Sequence, residues 1–169
     1  PIERLAINLS GETIADESFL DFVVSQLDES GVAPNRVLFE VTETAAIANL
    51  DSALRFMDEL RGRGVRFVLD DFGSGLSSFA YLKNLPVDYL KISAEFVHGI
   101  ETVPMQRTLV RSINQIGHEL GLTVIGEGVE SEAILSTLFE MRLDYVQGHW
   151  IAPPEPLVSS PVADPTSRR

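Results

Sequence analysis

The 169-residue chain contains no cysteine, which excludes disulfides and thiolate metal sites and makes a reducing compartment the natural setting. The expected location is cytoplasmic, either free or as the cytoplasmic part of a membrane-bound sensor. Long apolar runs are also missing. None approaches the about 18 residues of a membrane span, and Pro1-Ile2-Glu3-Arg4 lacks the charged-then-apolar layout of a secretory signal. No direct membrane contact is expected. Positive charge is scarce: 13 Lys and Arg face 25 Asp and Glu, a net charge of −12. That balance argues against a broad grip on a nucleic-acid polymer, whose phosphates are held by clustered cations. A small anionic ligand remains open to the chain, provided cations sit at its site. Histidine is sparse too: His98, His118 and His149 fall on separate segments, which suits satisfied or exposed side chains rather than a metal cluster, although His149 lies two residues after Gln147.

What is present is 44% hydrophobic residues, enough for one sizeable core and a single compact body. Short apolar or β-branched runs mark six strand candidates: residues 4–9, 37–42, 66–70, 89–92, 122–126 and 144–147. Between them, apolar residues recur at helical spacing: Phe19, Leu20, Val23, Val24 and Leu27; then Leu109, Ile113, Ile116 and Leu120; then Ile134, Leu135, Leu138 and Phe139. These stripes are expected to be core faces. Strand and helix alternating in this way imply parallel strands joined by right-handed crossovers, an α/β architecture. A full (β/α) barrel needs about 200 to 250 residues, so six βα units leave either an open sheet or a barrel of which the chain holds part. The second is expected, because Leu5-Ala6-Ile7-Asn8-Leu9 is already a strand with no helix before it. Residues 1–157 read as this one domain, and 158–169 as a disordered, solvated tail.

Each strand candidate is apolar up to its C-terminal end, where a polar residue appears: Asn8, Glu40, Asp70 with Asp71, Lys91, Glu127 and Gln147. A single carboxylate after a strand most simply caps the next helix or closes an Asx turn. The ensemble points elsewhere, because the C-terminal rim of an α/β barrel is where chemistry is assembled from several strands. Glu40, Asp70, Asp71 and Glu127 at one rim would repel one another and raise each other's pKa. Lys91 alone is one positive charge against four negative ones, so divalent cations are the economical counter-charge. All-oxygen ligation selects Mg²⁺, Mn²⁺ or Ca²⁺. Successive side chains on a strand diverge, which would let Asp70 bridge two ions while Asp71 reaches one, and a two-metal site suits phosphoryl hydrolysis. Glu43 is expected past its strand end, free to hold a neighbouring loop or simply exposed. Gly73 and Gly75 make Asp71-Phe72-Gly73-Ser74-Gly75 a turn that permits positive φ.

Taken together, Ile7-Asn8-Leu9-Ser10, Phe39-Glu40-Val41-Thr42-Glu43, Asp70-Asp71-Phe72-Gly73-Ser74-Gly75, Leu85-Pro86-Val87-Asp88, Leu90-Lys91-Ile92, Gly126-Glu127-Gly128-Val129-Glu130 and Tyr145-Val146-Gln147-Gly148 resemble the EAL domain family in order and spacing. Its members hydrolyse or bind the bacterial second messenger cyclic di-GMP. The resemblance implies a modified TIM-type barrel, often dimeric, with Mg²⁺ or Mn²⁺ at a two-metal site and hydrolysis of cyclic di-GMP to linear pGpG. It implies that Asn8, Glu40 and Asp70 bind one metal, that Asp70 is shared, and that Asp71 serves the second. Lys91 and Glu127 match the pair that orient and activate the attacking water, with Glu127 the general base. Gln147 matches a polar residue supporting that centre, and Glu43 the acid that anchors the glycine-containing loop. The Glu-Ala-Leu motif itself would lie before Pro1, so the expectation is an N-terminally truncated domain, fused in its parent to an upstream GGDEF or sensor domain and inactive as this piece alone. Ser93 stands where the family commonly has Asp, Ser74 and Leu76 replace the usual loop residues, and Gly126 replaces Ala. Two alternatives remain: a catalytically impaired receptor for cyclic di-GMP, and an enolate-forming barrel with Lys91 as base. The adjacent aspartates and the Glu40-x-x-Glu43 spacing suit two metals better than the latter.

Overall fold

The computed structural model describes residues 3–74 and 79–156; Pro1, Gly75, Leu76 and the expected tail from 158 onward lie outside the described residues. Six parallel strands form one sheet in the order β1 to β6: β1 Leu5–Leu9, β2 Val37–Thr42, β3 Arg66–Phe72, β4 Tyr89–Ile92, β5 Thr123–Gly126 and β6 Tyr145–Val146. Each strand pairs with its sequence neighbours. A sheet that grows always toward the same side, through crossovers of one hand, keeps its helices on one face and curves into a barrel wall; a doubly wound sheet would reverse its order partway. The fold is α/β, of TIM-like barrel type.

The crossovers carry α1 Gly11–Ala15 and α2 Glu17–Ser30 between β1 and β2, and α3 Glu43–Ala48 and α4 Leu50–Gly62 between β2 and β3. After them come α5 Phe79–Leu82, α6 Ala94–Val97 with α7 Pro104–Glu119, and α8 Glu132–Glu140. Several helices start directly at the C-terminal rim on side-chain caps: Ser10 accepts from the Thr13 amide, Thr42 from Ala45 and Ser131 from Ile134. The caps hold the chain's direction at the points where strands hand over to helices. Val41, Phe67, Leu69, Leu90, Ile92 and Val124 are fully buried, and Phe39, Phe56 and Phe67 pack ring against ring with centroids about 6 Å apart. An apolar groove of about 670 Å³, lined by Leu5, Ile7, Phe19, Phe22, Leu27 and Phe39 among others, runs along β1 and α2.

Three expectations need correction. First, the inward face of α7 is Val110, Ile113, Asn114 and Gly117, while Leu109 and Leu120 are exposed. The helix is rotated so that Gly117 meets the sheet, where an added Cβ would stand 2.6 Å from Val124 Cγ2; close approach at the glycine outweighs burial of the two leucines. Second, Phe139 is 82% exposed, because Leu138 and Ile134 already set the buried face of α8. Third, β3 continues two residues beyond Asp70, to Phe72, and β6 is only two residues long. No helix among the described residues is long and apolar enough to cross a membrane.

Candidate active site

The C-terminal rim is built by strand register. Asn8 pairs with Glu40 across β1 and β2, Thr42 with Asp70 across β2 and β3, and Lys91 with Ile125 across β4 and β5. Between β3 and β4 the ladder slips: Leu69 faces Leu90 and Phe72 faces Ile92, so Asp70 and Asp71 together oppose Lys91. This bulge aims carboxylates at a site, a common use of such irregularities. Asp71 takes a left-handed φ of 57°, which Asp tolerates better than most residues. Its amide donates to Asp70 Oδ1 at 2.8 Å, and the Ser74 hydroxyl donates to Asp71 O at 2.9 Å and Oδ2 at 3.0 Å.

Lys91 sits at the centre of the acids. Its ammonium lies 2.6 Å from Glu127 Oε1, 3.1 Å from Glu40 Oε2 and 3.3 Å from Asp70 Oδ1, with its side chain 4% exposed. Burial is the largest single influence on this lysine and acts against its charge, yet the Glu127 hydrogen bond and the charges of Asp70, Glu127 and Glu40 together hold its pKa above the ordinary lysine value. Glu127 is pushed up from the usual carboxylate range, first by burial and then by the neighbouring Asp70 and Glu40 charges, with Lys91 pulling the other way. Glu40, Asp70 and Glu127 are therefore each in contact with the one Lys91 ammonium. Asn8 and Gln147 stand exposed at the ends of β1 and β6, and the Gln147 amide donates to Gly126 O at 2.8 Å, beside Glu127. Asp71 is tied to Ser74 and makes no ion pair with Lys91 among the described residues.

Glu43, the first residue of α3, is 1% exposed. Its Oε2 accepts from the Gly73 amide at 2.9 Å and its Oε1 from the Tyr81 hydroxyl. Tyr81 is raised well above its ordinary value by burial, by this hydrogen bond and by the Glu43 charge. Phe96 of α6 lies against the same turn, where a Cβ on Gly73 would stand 2.4 Å from its ring. Tyr81 and Phe96 were invisible as site residues in the sequence, since an aromatic residue on a helical stretch reads as core. Ser93, between β4 and α6, is 5% exposed and its amide donates to Phe72 O at 3.3 Å. His98 pairs with Glu130 at 3.5 Å and His118 with Asp144 at 2.9 Å; neither pair includes a member of the acid cluster.

Among the described residues no three acidic or histidine side chains already form a metal-holding group; the Lys91 ammonium stands among them instead. The donor chemistry of Asn8, Glu40, Asp70 and Asp71 nevertheless fits hard divalent ions, being all oxygen and net negative.

A barrel rim that joins clustered carboxylates, one buried lysine and a fixed glycine turn defines a class of site suited to phosphoryl chemistry. The EAL domain model matches residues 1–154, and the chain belongs to the EAL domain family. It is 36% identical over 155 residues to the cyclic di-GMP phosphodiesterase PdeB of Shewanella oneidensis, a match covering 92% of this chain and 18% of that protein. Among solved structures it resembles the PaMucR phosphodiesterase in complex with c-di-GMP, at 33% identity and a TM-score of 0.85, over 91% of this chain and 62% of that one. It also resembles the FimX EAL domain from Pseudomonas aeruginosa bound to c-di-GMP, at 26% identity and a TM-score of 0.85, over 90% and 62% respectively. The chain thus spans about a fifth of the curated relatives it matches.

Proposed function

We propose that this chain carries the catalytic rim of a metal-dependent phosphodiesterase that opens cyclic di-GMP to linear pGpG. The reading rests above all on Lys91 held by Glu40, Asp70 and Glu127 beside the Asp70-Asp71 bulge. Asn8, Glu40, Asp70 and Asp71 would hold Mg²⁺ or Mn²⁺. Bound there, the ions supply an acidified water and positive charge against the phosphate. Glu127 accepts the proton of the attacking water as the water oxygen bonds to phosphorus; the bond from phosphorus to one ribose oxygen breaks, and that oxygen takes a proton from solvent to become the free hydroxyl of pGpG. A carboxylate whose pKa is pushed up is a better proton acceptor than an ordinary one. Lys91 fixes Glu127 in place and presents charge to the phosphate, Gln147 supports the same centre from β6, and Glu43 keeps the glycine turn in position.

The parent polypeptide on this reading is cytoplasmic or faces the cytoplasm, joins the domain to a GGDEF or sensor domain, and works as a homodimer. One observation favours a second reading, binding of cyclic di-GMP without turnover: the buried Ser93 brings no charge to a position where the family commonly has Asp. The deciding experiment is chromatographic detection of pGpG from the full-length protein supplied with Mg²⁺ or Mn²⁺. Glu127→Gln should abolish product while cyclic di-GMP still binds. Parental turnover by that variant would remove Glu127 as the base, and binding with no turnover by the parent would establish the receptor reading.

A further inference from the structure

We infer that Tyr81 is a positioning residue for the acidic rim: its hydroxyl and the Gly73 amide share the Glu43 carboxylate, so one buried group fastens both ends of the connection from β3 to α5. The relevance of this clasp to catalysis rests on the function proposed above; its existence does not.

The bulge needs an external hold. The hydrogen bonds of Asp71 to Asp70 and of Ser74 to Asp71 are local and move with the bulge. Gly73 follows Asp71 by two residues, and its amide is held by Glu43 on a different element, α3. A carboxylate presents two oxygens, and its rotation decides which way each one faces. With Oε1 committed to Tyr81, Oε2 is directed at Gly73. Phe96, pressed against Gly73, leaves the turn little room to shift toward its ring. Outer partners that orient the groups around a reactive centre commonly matter as much as this, their loss costing about 10- to 100-fold in affinity or activity.

Tyr81→Phe deletes one oxygen and keeps the ring. Tyr89→Phe is the matched control, since Tyr89 accepts from Arg4 Nη1 at 2.7 Å away from the acid cluster. Hydrogen exchange on the metal-free, full-length protein would follow the peptide spanning residues 69–73, and Mn²⁺ binding would be read from the spin-resonance signal of the free ion. Tyr81→Phe should speed exchange in that peptide and weaken Mn²⁺ binding, each by about tenfold, with kcat lowered and KM for cyclic di-GMP kept. Tyr89→Phe should change none of these, whatever it does to Tm. Parental exchange in Tyr81→Phe overturns the clasp, and faster exchange with parental Mn²⁺ binding and kcat overturns its role at the rim. If exchange rises in a protein whose parent neither binds Mn²⁺ nor hydrolyses cyclic di-GMP, the clasp stands and the proposed function falls.

Discussion

Lys91 Nζ lies 2.6 Å from Glu127 Oε1, across neighbouring strands β4 and β5, and the same ammonium reaches Glu40 and Asp70. Three carboxylates from β2, β3 and the end of β5 are thus gathered by one protein cation. Burying charges is unfavourable unless they are paired. Lys91 supplies that pairing from within the protein, so the rim is held by a side chain, and on the proposed function a divalent ion would have to share the acids with it.

Replacing Lys91 with Met should therefore destabilise the metal-free protein by about 3–5 kcal/mol, the usual cost of removing one partner of a buried ionic group. Millimolar Mn²⁺ should recover part of the lost Tm in Lys91→Met and raise the parent's Tm less, because the variant's acids have no other counter-charge. Thermal melts with and without the ion would check this. An unchanged Tm in the metal-free variant would show that the acids do not depend on Lys91.

The raised pKa of Glu127 fixes the sign of a pH effect in the metal-free protein. The folded state holds this proton more tightly than the unfolded chain does, so its contribution to stability is complete below the ordinary value of 4.5 and is lost as pH rises through the higher folded value. Lys91, also raised, contributes fully below its ordinary 10.5 and loses that contribution only at more alkaline pH. Carboxyl-carbon NMR on the metal-free protein should find Glu127 titrating above 4.5, and Lys91→Met should push Glu127 higher still, since the lysine is what pulls it down. A titration at or below 4.5 would contradict the burial on which this rests.

The strands were legible because each is a short apolar or β-branched run closed by a polar residue that marks the rim; β2 to β5 are largely covered, as such runs imply, while β1 and β6 stay mostly exposed. Val37–Thr42 and Tyr89–Ile92 match their expected spans residue for residue. The extension of β3 was not legible: nothing in Leu69-Asp70-Asp71-Phe72 announces the slipped ladder against β4 or the left-handed φ of Asp71 that goes with it, and strand pairing is tertiary. The same holds for α7, whose inward face is chosen by the fit of Gly117 against Val124 and not by the hydrophobic count of its stripe. The acids at the rim were readable as a set. Lys91 was readable as their one protein counter-charge; that its ammonium would touch Glu40, Asp70 and Glu127 but not Asp71 was not, since side-chain reach is absent from a linear pattern.

Gly73→Ala should damage the rim twice over. The backbone there has φ 98°, where a side chain costs about 1–3 kcal/mol, and the new Cβ would press on Phe96 Cε2 at 2.4 Å. Adding Phe96→Leu relieves the contact and leaves the backbone strain, so the double variant should regain part of the Tm and not all of it. Full recovery would assign the whole penalty to the ring, and no recovery would assign it to the backbone.

The opposite rim predicts the opposite phenotype. Asp88, just before β4, accepts from the Phe67 amide at 3.0 Å and pairs with Arg66 at 2.8 Å and Arg61 at 3.3 Å. Asp144, just before β6, repeats the device by accepting from the Val124 amide at 2.7 Å beside His118. Each aspartate ties the start of one strand to its neighbour, at the end of the barrel that serves stability rather than chemistry. Asp88→Ala should cost about 1–3 kcal/mol, the penalty for leaving a part-buried amide without its acceptor. Asp88→Asn, whose amide oxygen still reaches Phe67, should cost less. On the proposed function, kcat and KM for cyclic di-GMP should stay at the parental values in both variants, measured below the lowered Tm. A fall in kcat with an unchanged Tm would mean that Asp88 acts on the chemistry, and that the two ends of the strands do not divide their labour as the fold implies.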